Sequence, residues 1–287
     1  RDVMFLVHPT PYNEEQAKVF KAIANNVSTT EAEKATQTKV DTWERRLSAG
    51  ADKAQSFIEL MEKNKLGAMA FISNVRNMVQ AGVPESLIRD YARKVKTELI
   101  LPIRFVSAAR AVPQLEDMFE EMMLRSLANH EKLPGRTALV IDVSGSMFGV
   151  KVAAKSDLDR FDAAAALAML AREICETVDV YSFSDKLVRI PARRGFALRE
   201  AISNSQSHGG TYLRKALDSL GAGYDRVIVF TDGESHDGIS NRIAPKQYML
   251  NVAAYHNAVA HGAWEEVQGF SESVMRYILE LEKDSMR

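Results

Sequence analysis

Apolar positions along the chain repeat with two periods, and the change falls near Leu133. Before it, apolar residues recur every three or four positions, the spacing that lines one face of a helix. "AGADKAQSFIELMEKNK" places Phe57, Ile58 and Met61 together. "LGAMAFISNVRNMVQAG" does the same with Met69, Ile72, Val75, Met78 and Val79, and Gly82 is placed to stop that helix. Further upstream, "PYNEEQAKVFKAIANN" carries Asn13 and Gln16 at capping-box spacing ahead of Val19, Phe20 and Ile23. Pro84, Pro102 and Pro113 each stand where a helix can begin. Short connections between these segments predict antiparallel neighbours in a bundle or solenoid, although no strict repeat is visible.

"KLPGRT" marks the boundary. After it, "TALVIDV", "DVYSFS", "KLVRIP", "DRVIVFTDG" and "QYMLNVAAY" are strand-like, and "WEEVQGF" reads as an edge strand. Between and after them lie the long helix "DRFDAAAALAMLAREICETV" and the shorter "GFALREAISNS", "TYLRKALDSL" and "SESVMRYILELEK". Continuous apolar strands alternating with helices predict a mostly parallel sheet covered on both faces. The expectation is a helical domain over residues 1–133 and an α/β doubly wound domain over 134–287.

Charge changes this picture little. The formal net charge of the 287 residues is -1. The first 133 residues carry 19 basic and 18 acidic side chains and the remainder 18 and 20, so any nucleic-acid surface must be a local patch. The single cysteine, Cys175, excludes an internal disulfide framework and sits in an apolar helical pattern that suggests packing. A reducing, cytoplasmic setting fits, and no apolar run is long enough to span a membrane. The chain opens on Arg1 without a methionine, as a fragment or processed product would.

The candidate chemistry lies where strands end. "VIDVSGSM" and "VIVFTDGES" both run from a buried strand into an acid-bearing turn, and "SHGGTYLRKAL" opens a helix between them. Ligand sites of open α/β sheets lie beyond the carboxyl ends of the strands. The three segments supply Asp142, Ser144, Ser146, Thr211 and Asp232, all oxygen donors. Carboxylates and hydroxyls suit a hard divalent cation, Mg2+ first and Mn2+ or Ca2+ after it. Ser144 and Ser146 stand two apart in what reads as an extended turn, so both hydroxyls can converge while Gly145 leaves room. Taken singly, each segment has a plainer use: Ser-Gly-Ser or Thr211 could simply cap a helix. His208 and His236 lie nearby without metal-ligand spacing. No Ser-His-Asp arrangement, P-loop or dinucleotide fingerprint is present, and only Asp232 with Glu234 hints at a water-activating pair, so the expectation is a non-enzyme.

In that order, the five residues resemble the metal-ion-dependent adhesion site of von Willebrand factor A domains. The resemblance implies that the serines and Thr211 hold the ion directly or through water, the aspartates largely through water, and a ligand carboxylate often completes the shell. A protein partner with an acidic residue is thus one implied ligand. The helical half, through "RDVMFLVHPTP", "LGAMAFISNVRNM", "ILPIRFVSAARAV" and "MLRSL", is similar to the Ro autoantigen, or TROVE, family. That resemblance implies HEAT-like helical repeats closed by an A domain, and binding of small noncoding Y RNAs and misfolded RNAs. The helical part here is shorter than the family's ring, which implies either lost N-terminal repeats or a partial arc. A basic group formed by Arg89, Arg93, Lys94, Lys96, Arg104 and Arg110, with Lys18 and Lys21 upstream, is the candidate RNA surface. Such residues would anchor phosphates without reading sequence. The plainer use of the same residues is a solvated helix face with ion pairs four residues apart. Phe57, Phe71 and Phe105 read as packing.

Overall fold

The computed structural model describes residues 11, 14–24, 43, 46, 52–98, 100–128, 131–152, 157–240, 242–253, 263–269 and 273–284. The Asn13 cap, His8 and the segment resembling the family's first residues fall outside them, apart from Pro11. The chain divides into two compact units, Arg1–Lys96 and Thr97–Arg287. The change of period near Leu133 therefore marks where helix gives way to sheet inside the second unit.

The first unit contains α1 (Glu14–Ala24), α2 (Lys53–Glu62), α3 (Ala68–Gln80) and α4 (Glu85–Lys94). Asp52 caps α2 by accepting the Gln55 N–H at 2.7 Å, which satisfies one of the donors a helix start leaves open. Gly82 follows α3 with φ +81°, the left-handed geometry glycine takes at a helix end. Of the residues the periodicity places together, Phe57, Met61, Ile72, Val75 and Met78 are buried, Ile58 and Val79 are half-buried and Met69 stays exposed, while Leu60, Phe71 and Ile88 join the buried side. The Tyr91 hydroxyl donates to the Leu66 carbonyl, and the ring packs 5.2 Å from Phe71, so α4 is tied to the turn before α3.

The second unit begins with α5 (Pro102–Ala111) and α6 (Glu116–Leu127), joined by a short 3-10 turn over Pro113–Leu115. Both pack against α7 (Arg160–Ile174), and Phe105 is fully buried. The sheet follows: β1 (Leu133–Asp142), β2 (Cys175–Phe183), β3 (Leu187–Arg189), β4 (Arg226–Thr231), β5 (Lys246–Asn251) and β6 (Glu265–Gln268). Its order is β3-β2-β1-β4-β5-β6, parallel throughout except for the antiparallel edge strand β3. The remaining helices are α8 (Gly195–Ser203), α9 (Leu213–Asp218) and α10 (Ser273–Asp284).

Alternation in the central strands covers both faces. Ala138, Val140, Val227 and Val229 pack with Leu213, Ala216 and Leu217 of α9. Leu139 and Ile141 point to the opposite face, where α7 lies against β1. This is the doubly wound, Rossmann-like arrangement, and its strand order reverses between β1 and β4.

One boundary differs from the sequence expectation. Helix α7 ends at Ile174, and Cys175 opens β2 opposite Leu133 rather than continuing the helix. No glycine or proline marks the junction; the β-branched pair Thr177 and Val178 gains more by pairing with β1 than by extending the helix. Cys175 is buried, and burial pushes its thiol up, which fits packing. Among the described residues no helix is long and apolar enough to cross a membrane.

Candidate metal centre

The reversal between β1 and β4 leaves a crevice at their carboxyl ends, and the three sequence segments meet there. Asp142 closes β1 and is fully buried. Its Oδ1 accepts the Ser144 N–H at 2.8 Å and its Oδ2 accepts the Thr231 hydroxyl at 2.7 Å. Burial raises its pKa to about 7, against the pull of the Ser144 and Thr231 hydrogen bonds, and the nearby Asp232 charge pushes the same way as burial. Among the described residues no lysine, arginine or histidine forms an ion pair with it. A buried carboxylate held by neutral donors and facing a second carboxylate is poised to gain a cation.

Ser144 is buried and extended, and Gly145–Met147 then forms a 3-10 turn rather than the extended turn expected from sequence. The hydroxyls still converge: Ser144 Oγ and Ser146 Oγ are 3.3 Å apart. The turn tightens because buried Met147 anchors its far side and the Met147 N–H bonds back to the Ser144 carbonyl at 3.1 Å. Gly145 is where the second loop comes close. Its N–H donates to the Gly209 carbonyl at 3.3 Å, and a Cβ there would sit 3.3 Å from the His208 carbonyl oxygen.

Thr211 is buried and does not cap its helix, since the residue before α9 is Tyr212. Asp237 does that work from another loop, accepting the Arg214 and Lys215 N–H groups at 3.0 and 2.9 Å. Burial works against its charge, yet these backbone donors hold its carboxyl below the ordinary aspartate value. Thr211 is instead locked to the loop after β4. Its N–H donates to His236 Nδ1 at 3.0 Å, and the His236 N–H donates to its carbonyl at 2.8 Å. His208 Nδ1 donates to the Val143 carbonyl at 2.8 Å. The two histidines brace the loops: the His208 ring packs tilted against Phe148 at 4.0 Å, and the His236 ring stacks on Tyr212 at 5.5 Å.

Asp232 follows β4 and is buried; its Oδ1 accepts the Glu234 N–H at 3.2 Å. Its Oδ2 accepts from a residue the sequence reading missed, Arg160 Nη1 at 2.8 Å. Glu234 itself is exposed, so Asp232 is engaged by a guanidinium rather than by a second carboxylate. "LDRFD" gave no hint of this, because an arginine at a helix start is usually solvated. The donor set fits a hard cation: two carboxylates and three hydroxyls on loops held together by hydrogen bonds. Among the described residues no group of three or more His, Cys, Asp or Glu side chains is placed to hold a metal, so a site here depends on the hydroxyls.

The basic residues behave differently. Lys18 and Lys21 are exposed on α1. On α4, Arg89 pairs with Glu85 at 2.7 Å and Arg93 with Asp90 at 2.9 Å, the plainer reading of that cluster, while Lys94 is exposed beside them and Lys96 just past the helix. Arg104 and Arg110 belong to the other unit; Arg104 is exposed, and Arg110 pairs with buried Asp162 at 2.6 Å.

Against this geometry, the TROVE domain model matches residues 12–179. The chain belongs to the TROVE family. The match runs from the helices of this TROVE chain through β1 and α7 into β2, so the family signature spans both units. The crystal structure of the Deinococcus radiodurans Ro (RSR) protein is similar at a TM-score of 0.60 and 18% identity, covering 96% of the TROVE chain and 68% of that protein. An aerotolerance-related membrane protein from Bacteroides fragilis NCTC 9343, carrying multiple mutations to serine, matches at 0.30 and 20% identity over 41% of the TROVE chain and 67% of its own, too loosely to bear on the fold.

Proposed function

We propose that this TROVE protein is a non-enzymatic, cytoplasmic RNA-binding protein of the Ro type. Its helices would form HEAT-like repeats that hold a small noncoding, Y-like RNA and serve ribonucleoprotein assembly or RNA quality control. Its sheet would be a von Willebrand A domain in which Asp142, Ser144, Ser146, Thr211 and Asp232 hold one divalent cation, Mg2+ by the chemistry of the donors. The observation that carries the RNA reading is the family match, which extends from the helices into the sheet. The exposed Lys18, Lys21, Lys94 and Arg104 are the candidate phosphate contacts, and Arg89 and Arg93 can contribute beyond their ion pairs because a guanidinium has five donors.

The test is fluorescence anisotropy of the full chain with a labelled structured small RNA across a salt series. Binding at low salt whose logarithm falls linearly with log salt supports the reading. No binding at low salt overturns it. A second reading has its own support: the Arg160 guanidinium already pairs with Asp232, so a divalent ion shared by Asp142 and Asp232 would leave the loaded site positive and open to an acidic residue of a partner protein. Capture of a carboxylate-bearing partner that is lost with chelator and with Asp142→Ala would favour it.

A further inference from the structure

Arg160 is the first residue of α7, yet its side chain runs inward and the residue is only 7% exposed. Nη1 donates to Asp232 Oδ2 at 2.8 Å and reaches the Ser146 carbonyl at 3.4 Å. One guanidinium thus joins two of the three loops that supply the oxygen donors. The helix start does not need it, because Asp159 and Asp162 already close that end as a capping box, with bonds of 2.9 and 3.1 Å. Phe161 beside Arg160 is buried and stacks on Phe148 at 4.6 Å. The chain has placed a fixed positive charge on one of the two carboxylates that a divalent ion would share.

Two physical consequences follow. With no ion present, Arg160 neutralises Asp232 and spares the fold a buried unpaired charge. With an ion present, the guanidinium and the ion repel each other across a buried space where charges are weakly screened. We propose that Arg160 is a built-in competitor that sets how tightly the oxygen cluster holds a divalent cation, keeping the ion exchangeable. The proposal rests on the metal reading above, and the experiment separates the two.

Mn2+ is titrated into the full chain and free Mn2+ is followed by its electron paramagnetic resonance signal. Wild type is compared with Arg160→Met, with Arg160→Gln (which keeps an N–H for Asp232) and with Arg160→Lys (which keeps the charge). Removing the charge is expected to tighten binding by about tenfold or more, with Arg160→Lys staying near wild type. Adding Asp142→Ala to Arg160→Gln should abolish the gain, which places the ion in the oxygen cluster. If Arg160→Met does not fold, as judged by circular dichroism, Arg160→Gln carries the test. Binding that is equal in all four proteins overturns the role of Arg160 and leaves the metal reading standing. Equal tightening by lysine and by glutamine also overturns it, because charge would not be the agent. Absence of Mn2+ binding from every protein removes the metal reading and this inference with it.

Discussion

Removing the carboxylate of Glu282 should be among the most damaging single changes in the sheet unit. Glu282 lies on α10, and the residue is only 2% exposed. It accepts from Arg226 Nε at 2.5 Å, from a second Arg226 nitrogen, from Lys246 Nζ at 2.6 Å and from the Tyr248 hydroxyl at 3.1 Å. Arg226 opens β4, is fully buried, and spends Nη1 on the Thr137 hydroxyl at 2.8 Å. In Glu282→Gln the guanidinium stays buried without its counter-charge. Breaking one partner of such a pair costs about 3–5 kcal/mol, whereas a well-packed apolar pair in its place is often neutral. Glu282→Gln should therefore lose about 4 kcal/mol, and Arg226→Met with Glu282→Leu should recover most of it. Trp264 reports on this unit: it is buried and donates to the Ser240 carbonyl at 2.8 Å, so urea unfolding read by its fluorescence in a Trp43→Phe background follows the sheet. Acid adds a second reading. Burial alone would push the Glu282 carboxyl up, but the Arg226 and Lys246 hydrogen bonds outweigh it and hold it below the ordinary glutamate value. A lowered folded value stabilises above the unfolded pKa of about 4.3 and is lost as pH falls through the folded value. Wild type should accordingly lose more stability than Glu282→Gln in that acid range. A cost below about 1 kcal/mol for Glu282→Gln, the size of an ordinary neutral hydrogen bond, would refute the reasoning.

Three further outcomes are expected. On the proposed metal reading, Mg2+ should raise the thermal midpoint of wild type but not of Asp142→Ala, with circular dichroism unchanged; an equal response, or none in wild type, would count against the donor set. Asp237→Ala should cost about 1 kcal/mol in the same urea assay, since the first turn of α9 loses both N–H acceptors, and no loss would mean that water replaces the cap. Lys18→Ala with Lys21→Ala should weaken RNA binding and shallow the salt slope by roughly one for each phosphate no longer neutralised; an unchanged slope would take α1 out of the RNA surface.

What the sequence shows and what it hides follow the range of the forces involved. β1 and β4 were legible because a strand buried on both faces must be apolar throughout, and "ALVIDV" and "VIVF" meet that demand. That the three acid- and hydroxyl-bearing loops lie at the carboxyl ends of these strands was legible too, because polar turn residues at the ends of buried strands are constrained by local chemistry; the sequence proposes them as ion ligands, and that remains a proposal. The start of β2 was not, because Ile174 and Cys175 suit helix and strand equally and only pairing with β1 decides. Arg160 was hidden for a related reason: its partner is Asp232, 72 residues away. The ion pairs on α4 were legible as the plainer use of the basic cluster, because Glu85 and Asp90 stand four and three residues from Arg89 and Arg93 and do pair with them. The packing break at Lys96 carries no glycine or proline run, and periodicity does not change there.

The bond from Thr231 to Asp142 joins positions 89 residues apart, across two strands that become neighbours only when the sheet closes. Loop closure of that span is slow compared with helix formation. The oxygen cluster therefore depends on that long-range pairing: a chain stalled as helices and separate strands has none of it. On the proposed metal reading, newly made protein should gain its ion only once β1 and β4 have paired, so ion uptake during refolding would time that pairing.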